Sequence, residues 1–219
     1  MTDQTDIVEN KKSQAGKGPW DQRIARFLVR PLMHTPVMPN HITALRLLTG
    51  LGACGCLAYG EMPLIHWGAG LFIISNFIDH MDGELARLSG RASRFGHIFD
   101  IISDVIVHTL LFVSIGIGLS DGWLGDAAWV MGVVSGLSVS GLFALFQYLE
   151  DHTGVKQAGL PRLAGFEVED VMYLISPAIW AGGLVPILIL ATAGAPLFGI
   201  WALIRYRREL FSPHKPTSQ

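Results

Sequence analysis

Charge is scarce in this chain of 219 residues: Asp, Glu, Lys and Arg make up 16%, while half the residues are hydrophobic. Mean hydropathy is +0.41. That balance argues against a soluble globular domain and for a polytopic membrane protein, with room for one such domain. Cysteine is nearly absent. Cys54 and Cys56 lie in one apolar stretch with no partners at zinc spacing, so they form neither a disulfide framework nor a metal site and read as small packing residues. There is no internal repeat, no glycine-rich phosphate loop and no basic face suited to nucleic acid. The first 18 residues, MTDQTDIVENKKSQAGKG, lack the apolar run of a signal peptide and are expected to be a disordered cytoplasmic tail (1–18).

Positive charge is missing from particular places. The segments GEMP, SDGWLGD and AGGLVP contain no Lys or Arg. All 16 such residues fall in the N-terminal region up to and including Arg30, at Arg46, at Arg87, Arg91 and Arg94, within 150–167, or after residue 204. By the positive-inside rule both termini and the 150–167 loop are cytoplasmic, an asymmetry that the net charge of -2 hides.

What is present is length and apolar periodicity. Six spans are expected at 40–59, 64–90, 93–118, 124–149, 168–182 and 184–205, each near the roughly 20 residues a membrane helix needs, although the fifth is short. PWDQRIARFLVRPLMH (19–34) alternates arginines with an apolar stripe and suits an interfacial amphipathic helix. The competing reading extends the first span, and Pro31 and Pro36 argue for a break instead. The expected fold is an all-α membrane protein: six transmembrane helices preceded by that helix, the membrane domain covering 39–208 and a cytoplasmic tail 209–219.

Against this background DHMDGELARLSGRASRFGHIFDIISD places four aspartates, Asp79, Asp82, Asp100 and Asp104, inside apolar stretches. Charge at membrane depth is costly and marks function. The polar break LSGRAS predicts a turn; Asp79 and Asp104 lie about 12 residues from it and Asp82 and Asp100 about 9, so the pairs meet level across an antiparallel hairpin. Each pair, at i,i+3 or i,i+4, shares one helix face. Gly83 and Gly96 are expected to let the two backbones approach closely. The result is a box of four carboxylates near one membrane face. Left empty, such like charges force proton uptake, and oxygen-only ligands select hard divalent cations such as Mg²⁺. Two ions near 4 Å apart would clamp a phosphoryl transfer. The bland alternative is an ion-pair network that locks helices together.

The spacing Asp79-x-x-Asp82-Gly83-x-x-Ala86-Arg87, eight residues, then Gly96-x-x-x-Asp100-x-x-x-Asp104 resembles the signature of the CDP-alcohol phosphatidyltransferases at every fixed position. The resemblance is sharp over 39–108 and continues in hydropathy to about 210. It implies transfer of a phospho-alcohol from a CDP-alcohol to a hydroxyl acceptor, one of them a lipid, with release of CMP and dependence on Mg²⁺ or Mn²⁺ (two ions). It also implies a homodimer in a bacterial inner membrane. By the same resemblance Asp79, Asp82 and Asp100 hold the metals, while Asp104 is the general base and also touches the second ion. Gly83 leaves space for the nucleotide, Arg87 contacts the diphosphate, and Ser93 supplies a hydroxyl in donor binding. Pro39-Asn40-His41-Ile42-Thr43 is similar to the family's entry to the cytidine pocket.

Several residues keep two readings. Asn40 lines the pocket or caps a helix. Arg46, one turn after Thr43, reaches a substrate phosphate or a lipid headgroup. His108 tunes Asp104 or packs, and His97 stands near the aspartate face. Glu167, Glu169 and Asp170 are a solvated helix start or recognise a polar acceptor. The chain lacks the Lys after Asp104 and the Pro after Asp100 seen in phosphatidylglycerophosphate synthases, and the Arg of inositol-phosphate enzymes. Within the enzyme class a lipid donor, CDP-diacylglycerol, competes with a soluble CDP-amino-alcohol or CDP-polyol acting on a lipid. A cation or proton transporter is the alternative outside it; transporters favour midplane sites, broken helices and repeats.

Overall fold

Glycine and proline mark several helix ends, although Pro177 and Pro196 lie inside helices. Residues 20–153 and 170–210 are described by a computed structural model. Among them are seven α-helices: α1 (Trp20–Val29), α2 (Pro39–Tyr59), α3 (Leu64–Ser89), α4 (Arg94–Gly118), α5 (Ala127–Thr153), α6 (Asp170–Trp180) and α7 (Leu184–Leu210). A 3-10 turn, Arg30–His34, begins with Pro31 near its start and separates α1 from α2. The first helix is therefore not an extension of the first span. Gly60 (φ 77°) and Gly90 (φ 66°) close α2 and α3 in the left-handed region, where a side chain would be strained.

The expected tails lie outside the described residues, except that α7 carries the chain in helix to Leu210. So do Glu167, Glu169 and the 150–167 loop beyond Thr153. Asp170 is the first residue of α6.

α2 is the central element. It packs against both α3 and α4, and these two, although consecutive, are not direct neighbours. This corrects the expected close hairpin: Gly83 and Gly96 do not bring the α3 and α4 backbones together. α5 lies along α4, α7 along α5, α6 against α3, and α1 docks on α3. The main core is built from α2 to α7 around Leu57, Phe72, Leu111, Ile115 and Ile179. A second cluster, Val29, Ile42 and Leu85, joins α1, α2 and α3 beneath the aspartates.

Four helical stretches, Pro39–Tyr59, Arg94–Gly118, Ala127–Leu149 and Leu184–Leu210, are long and apolar enough to cross a membrane. The other two expected spans differ for separate reasons. α3 has 26 residues but carries Asn76, Asp79, His80, Asp82, Glu84 and Arg87 in its second half. α6 has 11 residues, about 16 Å of helix against a hydrocarbon core of about 30 Å. Leu48, Trp67, Leu137, Leu190, Leu197 and Ile204 are each more than half exposed, an apolar surface suited to lipid rather than water.

Candidate active site

α2 enters through Met38, which caps the helix, and Pro39 occupies its first turn. The cap is not Asn40, which lies one residue inside the helix. His41 Nδ1 accepts the Met38 amide at 3.3 Å. One turn on, the Thr43 hydroxyl is buried and donates to Asp82 Oδ2 at 2.7 Å. The next turn brings Arg46, whose residue exposure is only 1%.

Arg46 is the shared counter-charge that the aspartates require. Its Nη1 lies 2.7 Å from Asp79 Oδ1 and 3.3 Å from Asp100 Oδ1, and its Nη2 bonds Asp104 Oδ1. The Arg46 carbonyl accepts from Ser75 at 2.9 Å, tying the same turn of α2 to α3. Three carboxylates engage this buried guanidinium. The guanidinium stands where α2 intervenes between α3 and α4, so the box is closed by a third helix rather than by a hairpin. One such cation against four carboxylates leaves an excess of negative charge.

The box is not symmetric. Asp79, Asp82 and Asp100 each present an oxygen within 4.8 Å of the others. That spacing and all-oxygen chemistry fit a hard divalent cation. Asp104 stands outside this trio, on the far nitrogen of Arg46. Beyond it His108 is buried, stacks on Phe143 with centroids 4.7 Å apart, and holds Nδ1 4.0 Å from Asp104 Oδ1. Among the described residues that nitrogen has no hydrogen-bond partner.

The remaining motif residues line the rim. Arg87 is more than half exposed and donates to Glu84 Oε1 at 2.8 Å. A Cβ on Gly83 would meet its guanidinium at 3.5 Å, so Arg87 folds back over the Asp82–Gly83 step. Ala86 is half-buried on the same helix. Ser93 caps α4, its Oγ accepting the Gly96 amide at 3.0 Å. A Cβ on Gly96 would fall 2.8 Å from Asn40 Oδ1; this glycine makes room for the Asn40 side chain, linking α4 to the start of α2. His97 points away from the aspartates, with Nε2 3.4 Å from Asp151 on α5.

Sequence reasoning missed three groups. Glu84 is a buried carboxylate shared by Arg87 and by Arg26 of α1. Asn76 is buried one turn before Asp79. Tyr173 of α6 bonds the Asn76 carbonyl at 3.3 Å and meets His80 Nδ1 at 3.2 Å. The local signals were an acid or amide inside an apolar run and the i,i+3 spacing of Glu84 and Arg87. The distant partners lay 58 residues away for Glu84 and 97 for Asn76.

The sequence profile of the CDP-alcohol phosphatidyltransferases matches residues 36–201. The chain is 37% identical over 95 residues to CDP-diacylglycerol--glycerol-3-phosphate 3-phosphatidyltransferase of Cereibacter sphaeroides, covering 43% of this chain and 41% of that protein. It is 33% identical over 81 residues to CDP-diacylglycerol--inositol 3-phosphatidyltransferase of Candida albicans, covering 36% and 33%. A bifunctional IPC transferase and DIPP synthase of Rubrobacter xylanophilus is 34% identical over 88 residues, 40% and 19%. The chain thus spans less than half the length of each of these relatives.

Proposed function

Because the chain belongs to the CDP-alcohol phosphatidyltransferase family, we propose that it transfers a phosphatidyl group from CDP-diacylglycerol to a hydroxyl acceptor and releases CMP. The observation that carries this reading is the division of the box: a trio of carboxylates within 4.8 Å, with Asp104 set apart from it on Arg46. Two of the relatives are named for CDP-diacylglycerol, which favours the lipid donor, and their named acceptors differ. Nothing in the comparisons supports a transporter.

Asp79, Asp82 and Asp100 would hold Mg²⁺ or Mn²⁺, two ions in the arrangement the resemblance implies. When bound, these ions would neutralise charge on the diphosphate and polarise its phosphoryl oxygens. Thr43 fixes the Asp82 carboxylate by its 2.7 Å bond. Asp104 takes the proton of the attacking hydroxyl, and Arg46 aims it from the buried side. Arg87 presents a planar cation to the diphosphate from the rim. Gly83 leaves its approach open, while Asn40, Ser93 and Gly96 shape the donor pocket where α2 and α4 begin.

The same proposal extends to topology. All six expected spans cross the membrane, α3 with its charged end near one face. α1 lies in the interface, exposing Ile24, Phe27 and Leu28. Both termini and the aspartates are cytoplasmic, the location is a bacterial inner membrane, and two copies associate. A cysteine at Ser120 should then be labelled from outside, and tags at either terminus only from inside; external labelling of a terminus contradicts the orientation.

The test of function is to incubate membranes carrying the protein with CDP-diacylglycerol and labelled polyol, polyol-phosphate and amino-alcohol acceptors. CMP should appear with a new phospholipid, cease after EDTA and return with Mg²⁺ or Mn²⁺. Full activity after exhaustive EDTA treatment sinks the proposal.

A further inference from the structure

The rim holds a second charge cluster outside the aspartate box. Glu84 is 1% exposed. Its Oε2 receives Arg26 Nε at 3.0 Å, while Oε1 receives Arg26 Nη2 at 3.4 Å and Arg87 Nη2 at 2.8 Å. A buried carboxylate is an expensive way to hold a helix, since apolar packing does the same work at lower desolvation cost. Apolar packing is already present here: Ala25 and Val29 of α1 are fully buried, and Val29 clusters with Leu85. The ion cluster therefore adds something other than adhesion.

What it adds is the placement of Arg87. Among the described residues Glu84 is the one partner of that guanidinium, bonded through Nη2. The guanidinium lies over Gly83, both terminal nitrogens standing within 3.7 Å of where a Cβ there would be, and the side chain is more than half exposed. Arg26 grips Glu84 through two of its nitrogens, so the carboxylate that holds Arg87 is itself held in place by α1. We propose that Glu84 is a positioning residue that aims Arg87 at the diphosphate of the CDP donor, and that α1, through Arg26, is part of the donor site. The inference rests on the reading that Arg87 meets that diphosphate.

The probe is CDP, which carries the diphosphate of either donor class, titrated calorimetrically into the full-length protein in detergent with saturating Mg²⁺. Arg26→Met should weaken CDP binding by about 5- to 30-fold, well inside the range of couplings between contacting residues. Arg26→Lys, which retains the charge, should stay much closer to wild type. Glu84→Gln separates aim from charge. Purely electrostatic attraction predicts tighter CDP binding, because a negative charge is gone, whereas positioning predicts weaker binding. Mn²⁺ affinity measured without nucleotide should not change in any of these variants. Unchanged or tighter CDP binding in Glu84→Gln, or unchanged binding in Arg26→Met, overturns the inference. A parallel loss of Mn²⁺ affinity also overturns it, by showing that the cluster only props up the aspartates. Arg87→Ala is the control. If it leaves CDP affinity unchanged, the assignment of Arg87 to the diphosphate fails first, and the role of Glu84 fails with it.

Discussion

The two halves of α4 meet their neighbours in opposite ways. At Asp100 and Asp104 the helix stands off α3, and side chains cross the gap to a guanidinium delivered by α2. At the other end the α4 and α5 backbones touch. A Cβ on Gly132 or Gly136 of α5 would lie 2.5 Å from the carbonyl oxygen of Phe112 or Thr109. There Thr109 and Ser140 share a hydrogen bond at 2.7 Å, the polar contact usual between closely packed membrane helices. A site for ions and diphosphate needs a gap bridged by groups that can re-aim. A seam inside a membrane needs side chains to be absent. The same helix serves both because, within 25 residues, its paired aspartates give way to an apolar stretch whose carbonyls meet the glycines of α5, while its own Gly116 meets the Ala128 carbonyl.

If this division is right, damage at the two ends should read out differently. The largest effect is expected on turnover: Asp104→Asn should lower kcat for CMP release by about 10²- to 10⁴-fold, the usual loss on removing a general base. Donor binding and the melting transition should change little beside that. Near-normal kcat would move the base elsewhere, with His108 the first candidate.

Arg46→Gln comes next. Removing a buried counter-ion from three carboxylates should cost the metal-free protein about 3 kcal/mol, and added Mn²⁺ should restore part of it. Detergent-phase denaturation with and without Mn²⁺ measures both. Equal stability of variant and wild type without metal would show that Arg46 is not the internal counter-charge.

The smallest effects belong to the seam. Gly136→Val should cost about 1–3 kcal/mol by overpacking and leave the Mn²⁺ affinity of the remaining folded protein intact. Gly141, where an added Cβ meets nothing within 4 Å, is the control: Gly141→Ala should change stability by no more than about 1 kcal/mol, in the stabilising direction. The comparison fails if the two substitutions behave alike.

Much of this was legible in the sequence, and the exceptions share a cause. Expected spans of 40–59, 64–90 and 93–118 became Pro39–Tyr59, Leu64–Ser89 and Arg94–Gly118, because apolar runs bounded by proline, glycine and serine carry their own ends. The fourth and sixth apolar stretches each share one end with the expected span and differ at the other, where hydropathy and helix part company. α5 begins late, after the turn at Gly125 (φ 53°), and α7 continues to Leu210 through arginines that are good helix formers. The facing of Asp79 with Asp82, and of Asp100 with Asp104, follows from helical spacing alone. The role of Arg46 does not: it depends on α2 lying between α3 and α4, which no local pattern records. Glu84 was hidden for the same reason, its partner Arg26 lying on a helix whose docking partner is set by tertiary packing.

Mn²⁺ titration of the four single Asp→Asn variants, read by calorimetry or paramagnetic resonance without nucleotide, tests the division of the box most directly. Asp79→Asn, Asp82→Asn and Asp100→Asn should each lose about 10-fold or more in affinity, at least the loss that follows removal of a partner of a metal ligand. Asp104→Asn should lose far less. Equal losses at all four positions would contradict the account, placing Asp104 among the ligands and leaving the trio of Asp79, Asp82 and Asp100 without special standing.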